Sequence, residues 1–377
     1  VWWPEAWLRR RDRWLSNPRF QHWATAFLPT RGLARRRAHA LFDLCAGFVY
    51  SQVLLACVRL GVLEALRAGP RSLDDVAGAV ALEPAAARRL LDAAAALDLV
   101  ARRRTRAGLS GYGLGGAGAA LLGNAAVLAM IEHHPLLYAD LADPVALLRG
   151  ELERTALGDY WAYAQSARPD AVAPEAVRAY SALMSRSQPL VADLVLDAYD
   201  VGRHRQLLDL GGGEGGFALS ALARAPELRC TVFDLPPVAA RARERFAALG
   251  LEGRATAVGG DFFAAPLPAG ADLISLVRVL HDHDDDAVIG LLRAARAALA
   301  PGGRLLIAEP LSTPAAPRVG DTYFGFYLLA MGQGRARSVD ELAALLQTAG
   351  FSAPRLLETP MPLQASVLVA EPAAGQV

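Results

Sequence analysis

The stretch LLDLGGGEGG, residues 207–216, decides the fold. An apolar strand carries Asp209 near its end. The chain then passes through Gly211, Gly212 and Gly213 before a helix-forming run, FALSALARA. A strand that stops in glycines and runs into a helix lets the backbone approach a ligand closely, because no side chain stands in the way. Alone the motif is ambiguous, since Gly211, Gly213 and Gly216 also satisfy the dinucleotide fingerprint G-x-G-x-x-G. The stretches downstream decide the matter. TVFDLP ends a second strand at Asp234 and Leu235, and GGDFF ends a third at Gly260, Asp261 and Phe262. LISLVRVLHDHDDD ends a fourth at Arg278, His281 and Asp282, and PGGRLLIAEP ends a fifth at Glu309. Polar residues recurring at strand ends mark the carboxyl edge of an α/β sheet, where such sheets bind ligands.

Outward from that edge, strands and helices alternate from about residue 204 to 371, and the last two strands, RLLE and SVLVAE, have no helix between them. The fold class expected is therefore α/β, a Rossmann-like sheet closed by a terminal antiparallel hairpin. Residues 71–122 predict two short helices and a β-hairpin, the order of a winged helix. That order has two readings, DNA binding through Arg88, Arg89 and Arg102–Arg106, or a dimerisation scaffold. The second is preferred, because the recognition helix is mostly alanine and leucine and has few side chains able to read base edges. Domain limits follow: 1–122 for an arm and winged-helix dimerisation domain, 123–203 for a helical connector lining the site, and 204–377 for the sheet domain. Residues 41–68 are expected to form one long helix ended by Gly69-Pro70.

The 377 residues are 53% hydrophobic and 20% charged, which indicates a well-cored globular chain. All 39 basic residues are arginine, so neither a lysine Schiff base nor a P-loop lysine exists here. Cys45, Cys57 and Cys230 sit in apolar runs at no metal-ligand spacing, which suits a reducing compartment. Residues 1–40 hold nine arginines against Glu5 and Asp12, a net +7 that leaves −6 on the rest, and five of the six tryptophans. Tryptophan favours the membrane interface and arginine favours anionic lipid, so a peripheral membrane contact through residues 1–40 is expected; packing over a partner subunit is the alternative. No secretory leader is expected, and the apolar run 44–58 reads as too short to span a bilayer. The chain is expected in the cytoplasm, at the inner membrane face.

LLDLGGGEGG, FDLP, GDFF, RVLHDHDDD, PGGRLLIAEP and MGQGRARSVDELAALLQTAGF occur in the order found in small-molecule O-methyltransferases that use S-adenosylmethionine, and the chain resembles that family over essentially its whole length. RRRDRWLSNPRFQHWA, LFDLCAGFVYSQVLLACVRLG and DTYFGFYLLAMGQGRARS make it most similar to the bacterial branch that methylates carotenoids. The resemblance implies a methyltransferase sheet, S-adenosylmethionine as methyl donor, a homodimer, a hydrophobic small-molecule acceptor and no nucleic acid. It implies that Asp209, Gly211, Gly212, Gly213, Asp234, Leu235, Gly260, Asp261, Phe262, Arg278 and Met184 form the cofactor site, and that His281, Glu309 and Asp282 form the catalytic set.

The residue chemistry agrees with these roles and leaves some open. Asp234 offers two acceptor oxygens to the ribose hydroxyls or caps the helix after Pro236. Asp261 would take the adenine amino group, with Phe262 stacked on the ring, or serve only as a turn residue. Arg278 contacts the cofactor or pairs with an acid. Met184 touches cofactor or substrate, or is core. A neutral imidazole at His281 suits removal of one proton during an in-line displacement, with Glu309 orienting it. His283 and Asp284–Asp286 read as the solvated start of a helix, and consecutive acids pointing to different faces make no metal site. In plant phenol-methylating relatives a second catalytic glutamate precedes the final helix; Ala336 stands there in this chain. A tertiary carotenoid alcohol, a phenolic or polyketide hydroxyl, a ligand-sensing winged-helix regulator and an NAD-dependent dehydrogenase are the functions compatible with these patterns. GDFF and the terminal hairpin disfavour the last, and the intact His281, Asp234 and Asp261 disfavour the regulator.

Overall fold

The computed structural model describes residues 4–161, 188–313, 319–362 and 364–374. They divide into two compact units, Val1–Gly123 and Asn124–Val377, so the helices that begin the connector group with the sheet.

The first unit opens with α1 (Glu5–Leu15), α2 (Pro18–Ala26) and α3 (Leu28–Arg59). Asn17 caps α2 by accepting the N–H groups of Arg19 and Phe20, with Pro18 at the first helical position. The helix expected over 41–68 starts earlier and stops sooner. It spans 32 residues and ends before Gly61, whose left-handed backbone at φ 69° turns the chain into α4 (Val62–Ala65). The length argument against a membrane span falls with it. An 18-residue window of α3 has a mean hydropathy of 1.8 with 11% buried, so by length and composition it is long and apolar enough to cross a bilayer. Leu41, Phe42, Leu44 and Phe48 are all exposed on it. Next come α5 (Leu73–Ala79), α6 (Pro84–Ala96), the antiparallel hairpin β1 (Val100–Arg104) and β2 (Ser110–Leu114), and α7 (Gly116–Leu122). Cys57, Val62, Leu66, Leu91, Val100 and Tyr112 form their common core. Asp92 accepts from the Tyr112 hydroxyl at 2.8 Å and pairs with Arg102 at 2.7 Å, so one arginine of the hairpin is spent inside the unit.

The second unit opens with α8 (Ala125–Asp140), α9 (Pro144–Arg149) and α10 (Ala156–Tyr160). The sheet follows: β3 (Gln206–Leu210), α11 (Gly216–Arg224), β4 (Arg229–Asp234), α12 (Pro236–Ala248), β5 (Ala255–Gly259), β6 (Ala271–Val277), α13 (Asp285–Ala298), β7 (Leu299–Glu309), α14 (Val319–Met331), α15 (Val339–Thr348), β8 (Arg355–Leu357) and β9 (Ser366–Ala370). Its order is β5-β4-β3-β6-β7-β9-β8, parallel except for β9, which runs antiparallel to both β7 and β8. The terminal hairpin is thus where the sequence places it. Period-two alternation splits the strands between two cores. Leu208, Ile274 and Ile307 face one with Leu291 and Leu346, while Leu207, Leu273 and Leu306 face the other with Phe217. Each such buried side chain contributes about 1.5–3 kcal/mol. The carboxyl ends of β3 and β6, the central neighbours, open onto the crevice where the strand order reverses.

Candidate active site

The chain leaves β6 through Arg278, a non-glycine residue in the left-handed region at φ 59°, whose N–H donates to the Ala308 carbonyl at 2.8 Å. That backbone costs about 1–2 kcal/mol, and strain of this kind gathers at functional sites. It swings the chain into a single 3-10 turn, Leu280–Asp282. Glu309, 2% exposed at the end of β7, organises this turn. Its Oε1 accepts the N–H of Val279 at 2.9 Å and of Leu280 at 2.7 Å, while its Oε2 bonds Nδ1 of His281. The carboxylate that orients the imidazole is therefore pinned to the backbone that carries it. The other ring nitrogen, Nε2, stands 3.1 Å from Oδ1 of Asp282. Burial pulls the His281 pKa down, but the charges of Glu309 and Asp282 outweigh it, and the net direction is upward. His281, Glu309 and Asp282 thus come together as one set.

His281 and Asp282 open into a recess shared with Arg278, Tyr323, Tyr327 and Met331 among others. The stretch YFGFYLLAM lines it, as its sequence suggests. Sequence reasoning missed what stands behind that wall. The Tyr327 hydroxyl accepts Trp161 Nε1–H at 2.8 Å and lies 2.8 Å from Nε2 of His133. Indole nitrogen only donates, so the tyrosine proton is free to go to His133. This requires a neutral imidazole, and burial supplies it by pushing the His133 pKa down to about 4. Tyr323 pairs in the same way with His134 at 3.1 Å, and burial pushes its phenol up to about 12. Both hydroxyls are committed to α8, and their rings border the recess. The adjacent histidines in MIEHHPLLY were the available signal.

The turn after β3 is built of bare backbone beside carboxylate acceptors. Gly211 and Gly213 both adopt positive φ, and a methyl added at Gly213 would meet nothing within 4 Å, so bare backbone faces open space there. Asp234 accepts Gly213 N–H at 2.8 Å and Leu235 N–H at 2.7 Å, one on each oxygen. A carboxylate has about four lone-pair sites, so acceptor capacity for two hydroxyls remains. Burial pushes its pKa up to about 6, opposed by those two backbone donors. Gly260 N–H donates to the Asp234 carbonyl at 2.9 Å, and the Phe262 ring edge approaches Gly211. Asp261 accepts Phe263 N–H at 2.9 Å through Oδ1, so a turn role is real whatever else it binds.

Two expectations change. Asp209 is wholly buried beneath the loop: Oδ1 accepts the Ser275 hydroxyl at 2.6 Å, Oδ2 touches where a Gly212 side chain would stand, and burial pushes the acid up to about 7. It supports the glycine turn from below. His283 is not solvated; it is 8% exposed, edge-on to Phe262 and Phe263, and burial lowers its pKa. The acids after it do start a helix, with Asp284 and Asp286 exposed, and Asp284 and Asp285 also bond the 334–337 segment. Glu214 pairs with Arg241 at 2.8 Å on α12. Met184 lies outside the described residues.

Comparisons with known proteins agree with this geometry. Residues 138–352 match the profile of an O-methyltransferase domain, and residues 42–124 that of an O-methyltransferase dimerisation domain. The chain is 45% identical to demethylspheroidene O-methyltransferase of Cereibacter sphaeroides, over 95% of this chain and 93% of that one. It is 42% identical to the enzyme of the same name from Rhodobacter capsulatus, over 90% and 83%. Among solved structures, human N-acetylserotonin methyltransferase in complex with S-adenosylmethionine superposes with a TM-score of 0.76 at 25% identity, over 90% of this chain and 98% of that one.

Proposed function

Because the chain belongs to the S-adenosylmethionine-dependent O-methyltransferase family, we propose that it methylates the tertiary hydroxyl of an acyclic carotenoid of the hydroxyneurosporene (demethylspheroidene) type, with His281 as general base. The observation that carries the substrate class is the wall of the recess. Tyr323 and Tyr327 border it, yet their hydroxyls are bonded to His134 and His133, so the wall favours an apolar chain. The identity to two demethylspheroidene O-methyltransferases supports the same class. A phenolic or polyketide hydroxyl is the second reading, favoured by the likeness to the acetylserotonin enzyme.

S-adenosylmethionine, when bound, supplies an electrophilic methyl group on a sulfonium. Gly211–Gly213 would lie against its amino-acid part, Asp234 would accept the ribose hydroxyls beside Leu235, and Asp261 and Phe262, following Gly260, would hold the adenine. Arg278 borders the recess beside His281 and would face cofactor or acceptor there.

His281 takes the hydroxyl proton on Nε2 while Glu309 holds Nδ1–H. A phenol ionises near about pH 10, and a tertiary alcohol is far less acidic, so proton removal accompanies C–O bond formation. A strong base is then useful. The carboxylates of Glu309 and Asp282 raise the basicity of the imidazole and stabilise the imidazolium once formed. Proximity within the recess supplies much of the rest.

The dimerisation profile over 42–124 supports a homodimer, and the exposed Phe42, Leu44 and Phe48 are the surface such a partner would cover. The arm before it exposes Trp7, Trp14, Trp23 and Phe27 among arginines, which supports a cytoplasmic enzyme resting on anionic membrane, where carotenoids dissolve.

The deciding assay is methyl transfer from labelled S-adenosylmethionine to 1-hydroxyneurosporene in detergent micelles, beside a phenolic acceptor, for wild type and His281→Ala. Carotenoid product that is lost in the variant is expected. Turnover of the phenol alone refutes the substrate class. Equal liposome flotation with and without residues 1–30 refutes the membrane contact.

A further inference from the structure

The catalytic turn is gripped from two sides, and only one grip is the Glu309 carboxylate. On the other stands Arg337, an arginine 2% exposed. Its Nη1 donates to the Leu280 carbonyl at 2.7 Å and its Nη2 to the His283 carbonyl at 2.6 Å. Its charge is met by Asp285 at 2.7 Å, with Nε donating to the same oxygen at 2.8 Å. Leu280 and His283 are the residues on either side of His281 and Asp282. Glu309 thus holds the N–H groups that enter the turn, and Arg337 holds the C=O groups that flank the base.

The loop carrying Arg337 presses on the same turn. Gly334 sits at φ 78°, and a Cβ there would be 2.6 Å from the Asp282 carbonyl carbon and closer still to the His281 oxygen. Gly334 N–H donates to Asp284 Oδ1 at 3.1 Å. The loop follows directly from α14, whose residues line the recess, and ends in the Ser338–Glu341 capping box that starts α15. The acceptor's wall and the base's support are therefore one continuous segment.

We propose that Arg337 is a positioning residue for His281 and Asp282. Resting on the assignment of His281 as base, this gives the loop the task of fixing where Nε2 and the Asp282 carboxylate stand relative to the acceptor hydroxyl. Two carbonyls and a carboxylate arranged around one planar group need the guanidinium fork; an ammonium at that site is a point donor and cannot reach all three. Buried without partners, the carbonyls would draw water or move, and a displacement of about 1 Å at a reacting group costs about 10²-fold in rate.

The test uses the full chain with the acceptor it turns over, comparing wild type, Arg337→Lys, Arg337→Ala and Gly334→Ala, with His281→Ala alongside. Arg337→Lys is expected to lose about 10²-fold in kcat, to keep its KM for S-adenosylmethionine within about twofold, and to shift the pH profile of kcat. Millimolar guanidinium ion should restore part of the activity of Arg337→Ala. If the Arg337 variants do not fold, Gly334→Ala displaces the turn without changing charge and should show the same kcat loss and pH shift. A folded Arg337→Lys, or failing that Gly334→Ala, with wild-type kcat and pH profile overturns the proposal. Full activity in His281→Ala instead removes the base assignment, a separate failure.

Discussion

Glu309→Gln exchanges one oxygen for an amide nitrogen and tests the proposed catalytic set sharply. Oε1 of Glu309 accepts from the Val279 and Leu280 N–H groups, so the amide must keep its carbonyl oxygen there. Its NH2 then faces His281 Nδ1. An amide NH2 only donates, so Nδ1 must accept, and the ring proton moves to Nε2. That is the wrong tautomer for a base whose working nitrogen is Nε2. The same exchange in a Ser-His-Asp triad costs about 10⁴-fold in kcat. At about 1.36 kcal/mol per tenfold, this is about 5.4 kcal/mol of barrier. The two backbone hydrogen bonds survive and the third is reversed and neutral, so stability should fall only by the lost charge assistance at His281, about 1 kcal/mol. The assay is kcat and KM from pH 6 to 9, with cofactor affinity by calorimetry and thermal unfolding on the same samples. The expected result is a loss of about 10³–10⁴ in kcat with cofactor binding intact and no further loss on adding His281→Ala. A variant that keeps more than about a tenth of wild-type kcat with an unchanged pH profile would refute the orienting role of Glu309.

Asp282→Asn should move the acid limb of kcat/KM to lower pH. The proposed base, His281, would work deprotonated; its pKa is raised in part by Asp282, and activity would be lost as pH falls through that raised value, so removing the charge extends activity downward while weakening the base at high pH. A limb that stays in place or moves up would contradict this. Gly213→Ala forces a side chain into left-handed backbone and puts a methyl group in the open crevice; cofactor affinity by calorimetry should drop by tenfold or more, at a stability cost of about 1–2 kcal/mol. Phe48→Glu should convert the dimer to monomer in light scattering, because a charge replaces an apolar ring on the exposed face of α3; an unchanged mass would place the interface elsewhere.

Most of the site was legible because a doubly wound sheet puts its strand ends on one edge, and strand ends can be read from apolar runs that stop in polar residues. His281, Glu309, Asp234 and the glycine turn were placed on that edge in this way, and the structure has them there. Asp209 was grouped with the cofactor residues, and its burial beneath the loop was not legible, since a sheet covered on both faces gives alternation no exposed face to report. His283 was taken for a solvated residue because HDHDDD is polar as a string, while its burial depends on Phe262 and Phe263, twenty residues away. Arg337 went unread for the same reason: its partners Leu280 and His283 are more than fifty positions back, and no local period marks a buried arginine in GQGRARS. The extent of α3 was missed because the helix was expected to start only at residue 41, after the arginine-rich arm, although arginine is a good helix former.

The pairing of Tyr323 and Tyr327 with the histidines of α8 also sets how the recess greets its guest. These hydroxyls gave up their hydration shells when the chain folded, so an entering acceptor has few well-held waters to dislodge from this side. Binding should then show a negative heat-capacity change and a favourable enthalpy at room temperature, as when a poorly wetted apolar cavity is filled. Tyr327→Phe, seemingly a more greasy wall, would strand the Trp161 N–H and His133 Nε2 without their partner and invite solvent into the cavity it was meant to dry.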